Sequence, residues 1–228
     1  IKILHDHLRT DEKAVTRFFN DAKALGKLKH PNIVQIYATE MNEHYFVMEF
    51  LKGPSLKQII TSEGALNQKR VLDIMLPVAD ALKYIHESGL IHRDIKPHNV
   101  IVNPDGRAKM LDFGIACDKN AEITTAGSVI GTVEYMSPEQ LAGEKDLDPR
   151  TDIYSLGVLL YEMLTGRVPF EAKSADASIW QVVEQISNTV PNRVIEINPK
   201  VMPFIDEVIM HCLDKDKNQR RSSMSELF

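Results

Sequence analysis

The sequence predicts an α+β fold with two lobes, a small β-rich N-terminal lobe and a larger helical C-terminal lobe. Residues 33–50 hold two β-rich runs around a short polar turn, whereas apolar side chains beyond Gly53 recur mostly at helical spacing. With 228 residues, 43% of them hydrophobic, the chain can bury a sizeable core in one domain or in two closely packed lobes. We therefore predict an N-terminal lobe over residues 1–52 and a C-terminal lobe over residues 53–228.

The N-terminal lobe is predicted to contain one amphipathic helix and one β-hairpin. The helix is expected over residues 12–28, where apolar residues such as Phe18 and Ala22 recur at helical spacing, and Pro31 is expected to end it. The hairpin is expected from residues 33–40 and 44–50, which flank a short turn.

The C-terminal lobe is predicted to begin its core with a long helix over residues 67–88. The apolar residues of this segment fall on one stripe, and Gly89 follows as a residue suited to the left-handed stop. A second hairpin is expected from residues 100–102 and 108–111 around a turn. Further helices, separated by proline-containing connections, are expected over residues 151–164, 177–187 and 201–213.

Composition excludes several classes of function. The formal net charge of -5 argues against a nucleic-acid partner, because phosphate-backbone binders usually present a basic face. No run of apolar residues is long enough for a membrane segment within this chain, although an anchor can exist outside it. Cys117 and Cys212 lie far apart without metal-ligand spacing, which favours a reducing compartment. Trp180, the only tryptophan, is expected to be a packing residue.

The most informative stretches are His-Arg-Asp-Ile-Lys-Pro-His-Asn at residues 92–99 and Asp-Phe-Gly at residues 112–114. In phosphoryl transfer, Asp94 can accept the proton of the attacking hydroxyl group as a general base. Asn99 and Asp112 offer hard oxygen ligands for metal ions that neutralise phosphate charge, and Lys96 can reach the transferred phosphate. Each residue alone could be a turn former, a helix cap or a surface charge, but such roles give no reason for their order.

On these motifs the chain resembles the eukaryotic-type protein Ser/Thr kinases. It resembles their bacterial branch in Gly131 and Thr132 followed by Tyr-Met-Ser-Pro-Glu-Gln at residues 135–140. The resemblance spans the whole chain, with further matches at residues 1–4, 30–34, 47–50 and 151–157. It implies a bilobal protein-kinase-like fold with a truncated N-terminal lobe.

The resemblance also implies a function and its cofactors. A protein Ser/Thr kinase domain transfers the γ-phosphate of ATP to Ser or Thr hydroxyl groups of protein substrates, with ATP and Mg²⁺ as cofactors and Mn²⁺ as an alternative ion. Self-association for autophosphorylation is a further expectation. The expected location is cytoplasmic, either for a separate protein or for the cytoplasmic domain of a longer, membrane-anchored protein.

Family roles extend to the nucleotide. Lys2 would hold the α- and β-phosphates, oriented by a helix carboxylate for which the matching residue is Asp21. The family usually carries Glu there, so either the helix lies closer to Lys2 or the pair runs through water. The alternative is an exposed helix acid without a special function.

The adenine pocket is expected between the lobes. Met48 matches the gatekeeper behind the base, and the backbones of Glu49 and Leu51 would form hydrogen bonds with it. Ile101 would touch the adenine from the second hairpin.

Thr132 is expected to help fix Asp94 and Lys96 near the substrate hydroxyl, as in Ser/Thr-selective members. Arg93 is expected to pair with a regulatory phosphate placed on a neighbouring loop. The candidate phosphorylation sites are Thr124, Thr125 and Ser128. Three further matches are structural: Asp152 would accept hydrogen bonds from the backbone around Asp94, and Glu139 would pair with Arg220.

One departure from the family limits these expectations. The chain begins at the lysine strand, so the glycine-rich loop and the first two strands are absent from it. We expect a fragment of a longer reading frame rather than a degraded kinase, because the catalytic residues are intact. The alternative function is a catalytically impaired, kinase-like binding or scaffold module, and a small-molecule phosphotransferase of similar fold is the third class.

Overall fold

The computed structural model of this chain describes residues 1–111, 133–172 and 178–224. Its N-terminal part holds a three-stranded antiparallel sheet formed by β1 (Lys2–Ile3), β2 (Ile36–Glu40) and β3 (Tyr45–Met48). The strand order is β1-β3-β2, so β3 pairs with both neighbours. Helix α1 (Glu12–Lys27) joins the first two strands and turns Phe19, Ala22 and Leu25 inward.

The ends of α1 follow from local chemistry. The Asp11 carboxylate caps the helix, because its Oδ1 accepts hydrogen bonds from the backbone N–H groups of Lys13 at 2.9 Å and Ala14 at 3.3 Å. The helix ends at Lys27, before the expected limit at Pro31 is reached. Leu28 takes an extended backbone conformation and is only 3% exposed, so burial of its side chain draws the chain out of the helix.

The first hairpin is shorter than predicted because Ile33 and Val34 pair with Met110 instead, which lies in the second hairpin. The Val34 N–H donates to the carbonyl oxygen of Met110 at 3.0 Å, and the Met110 N–H donates to Asn32 at 2.8 Å. Strand β2 therefore begins only at Ile36, and residues 32–34 connect the sheet to the second hairpin.

That second hairpin is formed by β4 (Val100–Val102) and β5 (Ala108–Met110), paired antiparallel as predicted. Helix α2 (Leu56–Glu63) lies beside it and starts with a capping box between Ser55 and Gln58. The sequence indicated helical character beyond Gly53 without delimiting this short helix.

Helix α3 (Gln68–Glu87) is the long core helix that periodicity predicted. Asn67 caps its N-terminus by accepting the Arg70 N–H at 3.0 Å, and Gly89 follows its C-terminus with a φ of 75°. The predicted stripe is buried along the helix: Val71, Ile74, Met75, Val78, Leu82 and Ile85.

The rest of the C-terminal lobe is helical. Its helices are α4 (Pro138–Leu141), α5 (Arg150–Thr165), α6 (Ile179–Asn188), α7 (Val194–Ile197) and α8 (Pro203–Cys212). Helix α5 is buried from Thr151 to Leu164, and Gly157 on it lets the Cβ atom of Cys212 approach closely. Trp180 on α6 is 54% exposed, so the expectation that it packs inside was wrong.

These elements confirm the predicted α+β fold class, with a small sheet lobe and a helical lobe. The boundary after residue 52 stays a prediction. Within the three described ranges, no helix combines the length and the apolar character that a bilayer crossing requires.

Candidate active site

The loop between α3 and β4 brings two predicted catalytic residues, Asp94 and Lys96, together with the predicted metal ligand Asn99. The Asp94 Oδ2 atom lies 2.8 Å from Lys96 Nζ and 2.9 Å from Asn99 Nδ2. The Asn99 Nδ2 also donates to the Asp94 carbonyl oxygen at 2.9 Å, so the asparagine holds both the side chain and the backbone of Asp94. The predicted positioning residue Thr132 lies outside the described residues.

The same contacts bear on a metal site. Because the Asn99 amide nitrogen is turned toward Asp94, its oxygen points elsewhere, and an amide oxygen is a hard ligand of the kind that divalent ions take. Asn99 is 7% exposed, which keeps that geometry fixed. The partner ligand Asp112 is outside the described ranges, and no group of three or more His, Cys, Asp or Glu residues suited to a metal occurs within them. The donors that are described fit an oxygen-coordinated divalent ion.

A buried carboxylate fixes the backbone of the loop. Asp152 on α5 is fully buried, and its two oxygens accept the backbone N–H groups of His92 and Arg93, each at 2.8 Å. Its Oδ2 is also 2.8 Å from Nε2 of His86, which must donate to the carboxylate in this contact. The residues just before Asp94 are therefore attached to a helix that is buried from Thr151 to Leu164.

Arg93 adopts a conformation that needs this support. Its φ of 67° lies in the left-handed region, which is unusual for a residue with a side chain. Its carbonyl oxygen accepts a hydrogen bond from Gln140 Nε2 at 2.9 Å, and its Nε is buried without a hydrogen-bond partner among the described residues. Arg93 is thus fixed next to Asp94, and its Nε–H group is a hydrogen-bond donor that no described residue accepts. The predicted phosphorylation sites Thr124, Thr125 and Ser128 lie outside the described residues.

The segment after β3 determines which backbone groups can meet a nucleotide base. The Glu49 N–H donates to the Gln35 carbonyl oxygen at 2.8 Å, so only the Glu49 carbonyl can face a ligand. The Glu49 carboxylate forms an ion pair with Lys109 on β5 at 2.6 Å, which ties this segment to the second hairpin. No hydrogen bond among the described residues uses the Leu51 N–H.

The remaining predicted nucleotide contacts lie around this segment. Met48 ends β3 and Ile101 is central in β4, and both are half-buried. Lys2 on β1 has its Nζ 5.9 Å from the centroid of the Phe46 ring, and Asp21 is half-buried on α1. The ion pair between Lys2 and Asp21 stays a prediction.

The predicted structural pair is bidentate. Nη1 of Arg220 lies 2.7 Å from Oε1 of Glu139, and Nη2 lies 2.9 Å from Oε2. Burial acts to raise the pKa of the Glu139 carboxyl, but the hydrogen bond and charge of Arg220 outweigh it, and the pKa falls below its ordinary value. The charge of Glu139 is therefore stabilised although the residue is only 5% exposed.

A second polar cluster lies near the loop, and sequence reasoning did not place Lys57 or Tyr135 in it. The Glu162 carboxylate, 3% exposed, forms an ion pair with Lys57 at 2.9 Å and accepts the Tyr135 hydroxyl hydrogen at 2.6 Å. His98, on the turn after Lys96, has its pKa lowered by burial and by the nearby charges of Lys57 and Lys96. No motif signals the contacts of Lys57 and Tyr135 with Glu162, since these residues come from distant segments.

Comparison with known proteins agrees with this geometry. A model of the protein kinase domain matches residues 1–228. Among curated proteins, the chain is 40% identical to the probable serine/threonine-protein kinase PknB of Bifidobacterium longum, over 99% of the chain and 34% of that protein. It is 37% identical to the serine/threonine-protein kinase PrkC of Bacillus subtilis, over 100% of the chain and 35% of that protein.

A third relative is the probable serine/threonine-protein kinase PknB of Lactococcus lactis, 35% identical over 100% of the chain and 36% of that protein. The chain thus spans about a third of the length of the curated relatives it matches. The family model covers every residue, and the relatives come from bacteria. The chain belongs to the eukaryotic-type protein Ser/Thr kinase domains, in their bacterial branch.

Proposed function

We propose that this chain is the catalytic part of a protein Ser/Thr kinase that transfers the γ-phosphate of ATP to Ser or Thr hydroxyl groups of protein substrates. Protein kinases as a family use ATP and a divalent metal ion and act on protein substrates. The observation that carries the proposal is the contact of Asp94 with both Lys96 and Asn99 on a loop held by Asp152.

In this proposal Asp94 accepts the proton of the substrate hydroxyl group. Its carboxylate is held by Lys96 and Asn99, so it needs little reorganisation before the reaction. Lys96, which is half-buried, has ammonium hydrogens that can also meet the transferred phosphate. Thr132 is proposed to help fix both groups.

Bound Mg²⁺, or Mn²⁺ in its place, would neutralise phosphate charge and align the phosphates. We propose that Oδ1 of Asn99 and the carboxylate of Asp112 hold the ion, and that Lys2, oriented by Asp21, binds the α- and β-phosphates. The Glu49 carbonyl and the Leu51 N–H would bind the edge of the adenine, with Met48 and Ile101 against the ring.

The proposal includes regulation at Arg93. Its buried Nε, which has no hydrogen-bond partner among the described residues, is a donor suited to a phosphate on Thr124, Thr125 or Ser128. We expect that copies of the protein phosphorylate one another at these sites through self-association. Equal activity before and after phosphatase treatment would argue against this regulation. The use of ATP suits a cytoplasmic location.

The experiment is phosphate transfer from radiolabelled ATP with Mg²⁺ to a generic protein substrate. Asp94→Asn should lower the rate by about 10²- to 10⁴-fold, the usual contribution of a general base. The matched control is Asp73→Asn, which changes an exposed acid on α3 that pairs with Lys69. Transfer that survives Asp94→Asn would refute the assignment. A thermal shift with Mg-ATP but no transfer by the unmodified protein would instead favour the scaffold function, which Asp21 in place of Glu suggests.

A further inference from the structure

A cavity of about 420 Å³ lies between α2 and the turn Pro97–Asn99. We call it the Lys57 cavity. Its lining residues all carry hydrogen-bonding side chains and include no acid: Ser55, Lys57, Gln58, Thr61, Ser62 and His98. Such a lining presents a cation, an imidazole, hydroxyl groups and an amide, which are donors suited to an anion.

The Lys57 cavity adjoins the proposed catalytic residues. His98, in its wall, is two positions after Lys96 and directly precedes Asn99, and both of these contact Asp94. On the other wall, Ser55 forms a bridge with Ile101 of β4, which fixes α2 against the same turn. A substrate residue close in sequence to the accepting hydroxyl can therefore reach the cavity, because an extended chain advances only about 3.3 Å per residue.

The Glu162 carboxylate, which contacts Lys57 of the cavity wall, already has its hydrogen-bond partners. Both oxygens of the Glu162 carboxylate are engaged, one by Lys57 and the other by the Tyr135 hydroxyl, and the carboxylate is buried. A cationic substrate side chain would have to displace these partners. Burial also raises the pKa of the neighbouring Glu134, which makes its carboxylate harder to charge.

Lys57 supplies the positive charge of the cavity wall. The Lys57 side chain is 37% exposed, and its ammonium group has three hydrogens, of which one points to Glu162. His98 adds a ring nitrogen to the same wall from the turn that follows Lys96. The wall therefore presents one ammonium group together with neutral hydrogen-bonding groups.

We propose that the Lys57 cavity binds an acidic side chain, aspartate or glutamate, of the protein substrate close to the accepting Ser or Thr. This inference rests on the proposed kinase function and names a substrate class for it. Lys57 is the specificity-determining residue, with donors from Thr61 and His98 at the same anion.

The test compares synthetic peptides with one threonine in an alanine-rich background. Aspartate, arginine or alanine is placed in turn at each position on either side of the threonine, and kcat/KM is measured. At one or two positions we expect aspartate to raise kcat/KM by about three- to tenfold over alanine, and arginine to lower it. The preference for aspartate should shrink at high salt, because the pairing site is partly exposed.

Two substitutions then test the cavity itself. Lys57→Met should bring the ratio of kcat/KM for aspartate and alanine peptides to about one. Lys69→Met removes a distant lysine that pairs with the exposed Asp73 at the same distance, and it should leave that ratio unchanged. Because Lys57→Met strips the buried Glu162 of a partner and can impair folding, Thr61→Asp provides a second route. Thr61→Asp places a carboxylate in the cavity, which would repel the acidic side chain of the substrate, so it should abolish the preference for aspartate peptides. The uncharged control Thr61→Asn should keep that preference.

The outcomes separate the two proposals. If the alanine peptide is phosphorylated but aspartate gives no preference at any position, the inference fails and the kinase function stands. If no peptide is phosphorylated, the kinase function fails, and fluorescence anisotropy of the labelled aspartate peptide decides the cavity. Salt-sensitive binding that Thr61→Asp removes and Thr61→Asn keeps supports the inference, and its absence overturns it.

Discussion

Replacement of Asp152 by asparagine tests whether one buried carboxylate imposes the geometry of the catalytic loop. In the native structure the two carboxylate oxygens accept hydrogen bonds from the backbone N–H groups of His92 and Arg93. One of them also accepts a hydrogen bond from the ring N–H of His86. Asparagine has one oxygen and one NH₂ group in the same space. Whichever way the amide is turned, its NH₂ group faces a donor.

The cost follows from these contacts. A hydrogen bond to a charged group contributes about 1.5–3 kcal/mol, and a buried donor left without an acceptor costs about 1–3 kcal/mol. Since the remaining oxygen still accepts a hydrogen bond from one of the two backbone N–H groups, we expect Asp152→Asn to lower the free energy of unfolding by about 2–4 kcal/mol. The left-handed conformation of Arg93 also costs about 1–3 kcal/mol, and with a weaker attachment the loop can relax it.

Relaxation of Arg93 would shift the adjacent Asp94. A displacement of about 1 Å in a catalytic group can cost about 10²-fold in rate, so kcat should fall by about that factor even at temperatures where the variant is folded. The assay is urea unfolding followed by circular dichroism, together with phosphate transfer at saturating ATP. Asp73→Asn is the control, because the exposed Asp73–Lys69 pair should contribute less than about 1 kcal/mol. If Asp152→Asn stayed within about 1 kcal/mol and tenfold of the native protein, the reasoning would be refuted.

Three further predictions concern stability. Burial lowers the pKa of Lys215 to about 8. Lys215→Met should therefore raise the free energy of unfolding at pH 7 by about 1–2 kcal/mol, after allowance for solvent screening. Urea titrations should show this gain shrinking between pH 8 and 10.5. A gain independent of pH would contradict that origin. Because Arg220 holds the pKa of Glu139 below 4.5, the pair stabilises the protein above that pH, and the contribution is lost as pH falls through the pKa of the folded state. The double variant Glu139→Gln with Arg220→Met should lack this acid-dependent loss of stability when its unfolding is compared at pH 6 and pH 4. Gly157→Ala would place a methyl group 2.5 Å from Cβ of Cys212, so its melting temperature should fall, and the added substitution Cys212→Gly should restore part of it; an unchanged melting temperature for Gly157→Ala would contradict the close packing.

Local signals in the sequence predicted helix α3 and the catalytic loop. The apolar stripe and the stop at Gly89 both lie within or beside the helix, so residues close along the chain were enough to predict it. The contacts among Asp94, Lys96 and Asn99 likewise span five positions of one loop, and their order in the chain already indicated the chemistry.

Predictions that depended on burial were less successful. Trp180 was expected inside and lies on the surface, because a tryptophan on an amphipathic helix packs only if another segment covers that face. Strand β2 begins at Ile36 because residues 32–34 pair with β5, a partner far along the chain that periodicity cannot identify.

The sequence by itself determined the fold class, the main helices and the residues proposed to carry phosphoryl transfer, because these depend on side chains close together along the chain. Only the tertiary structure decided which charges meet. Lys57 and Glu162 are 105 positions apart, and Asp152 contacts a backbone 59 and 60 positions before it. Pairing of this kind depends on how lobes and helices pack, since burial makes a buried charge costly unless a partner from another segment is brought to it.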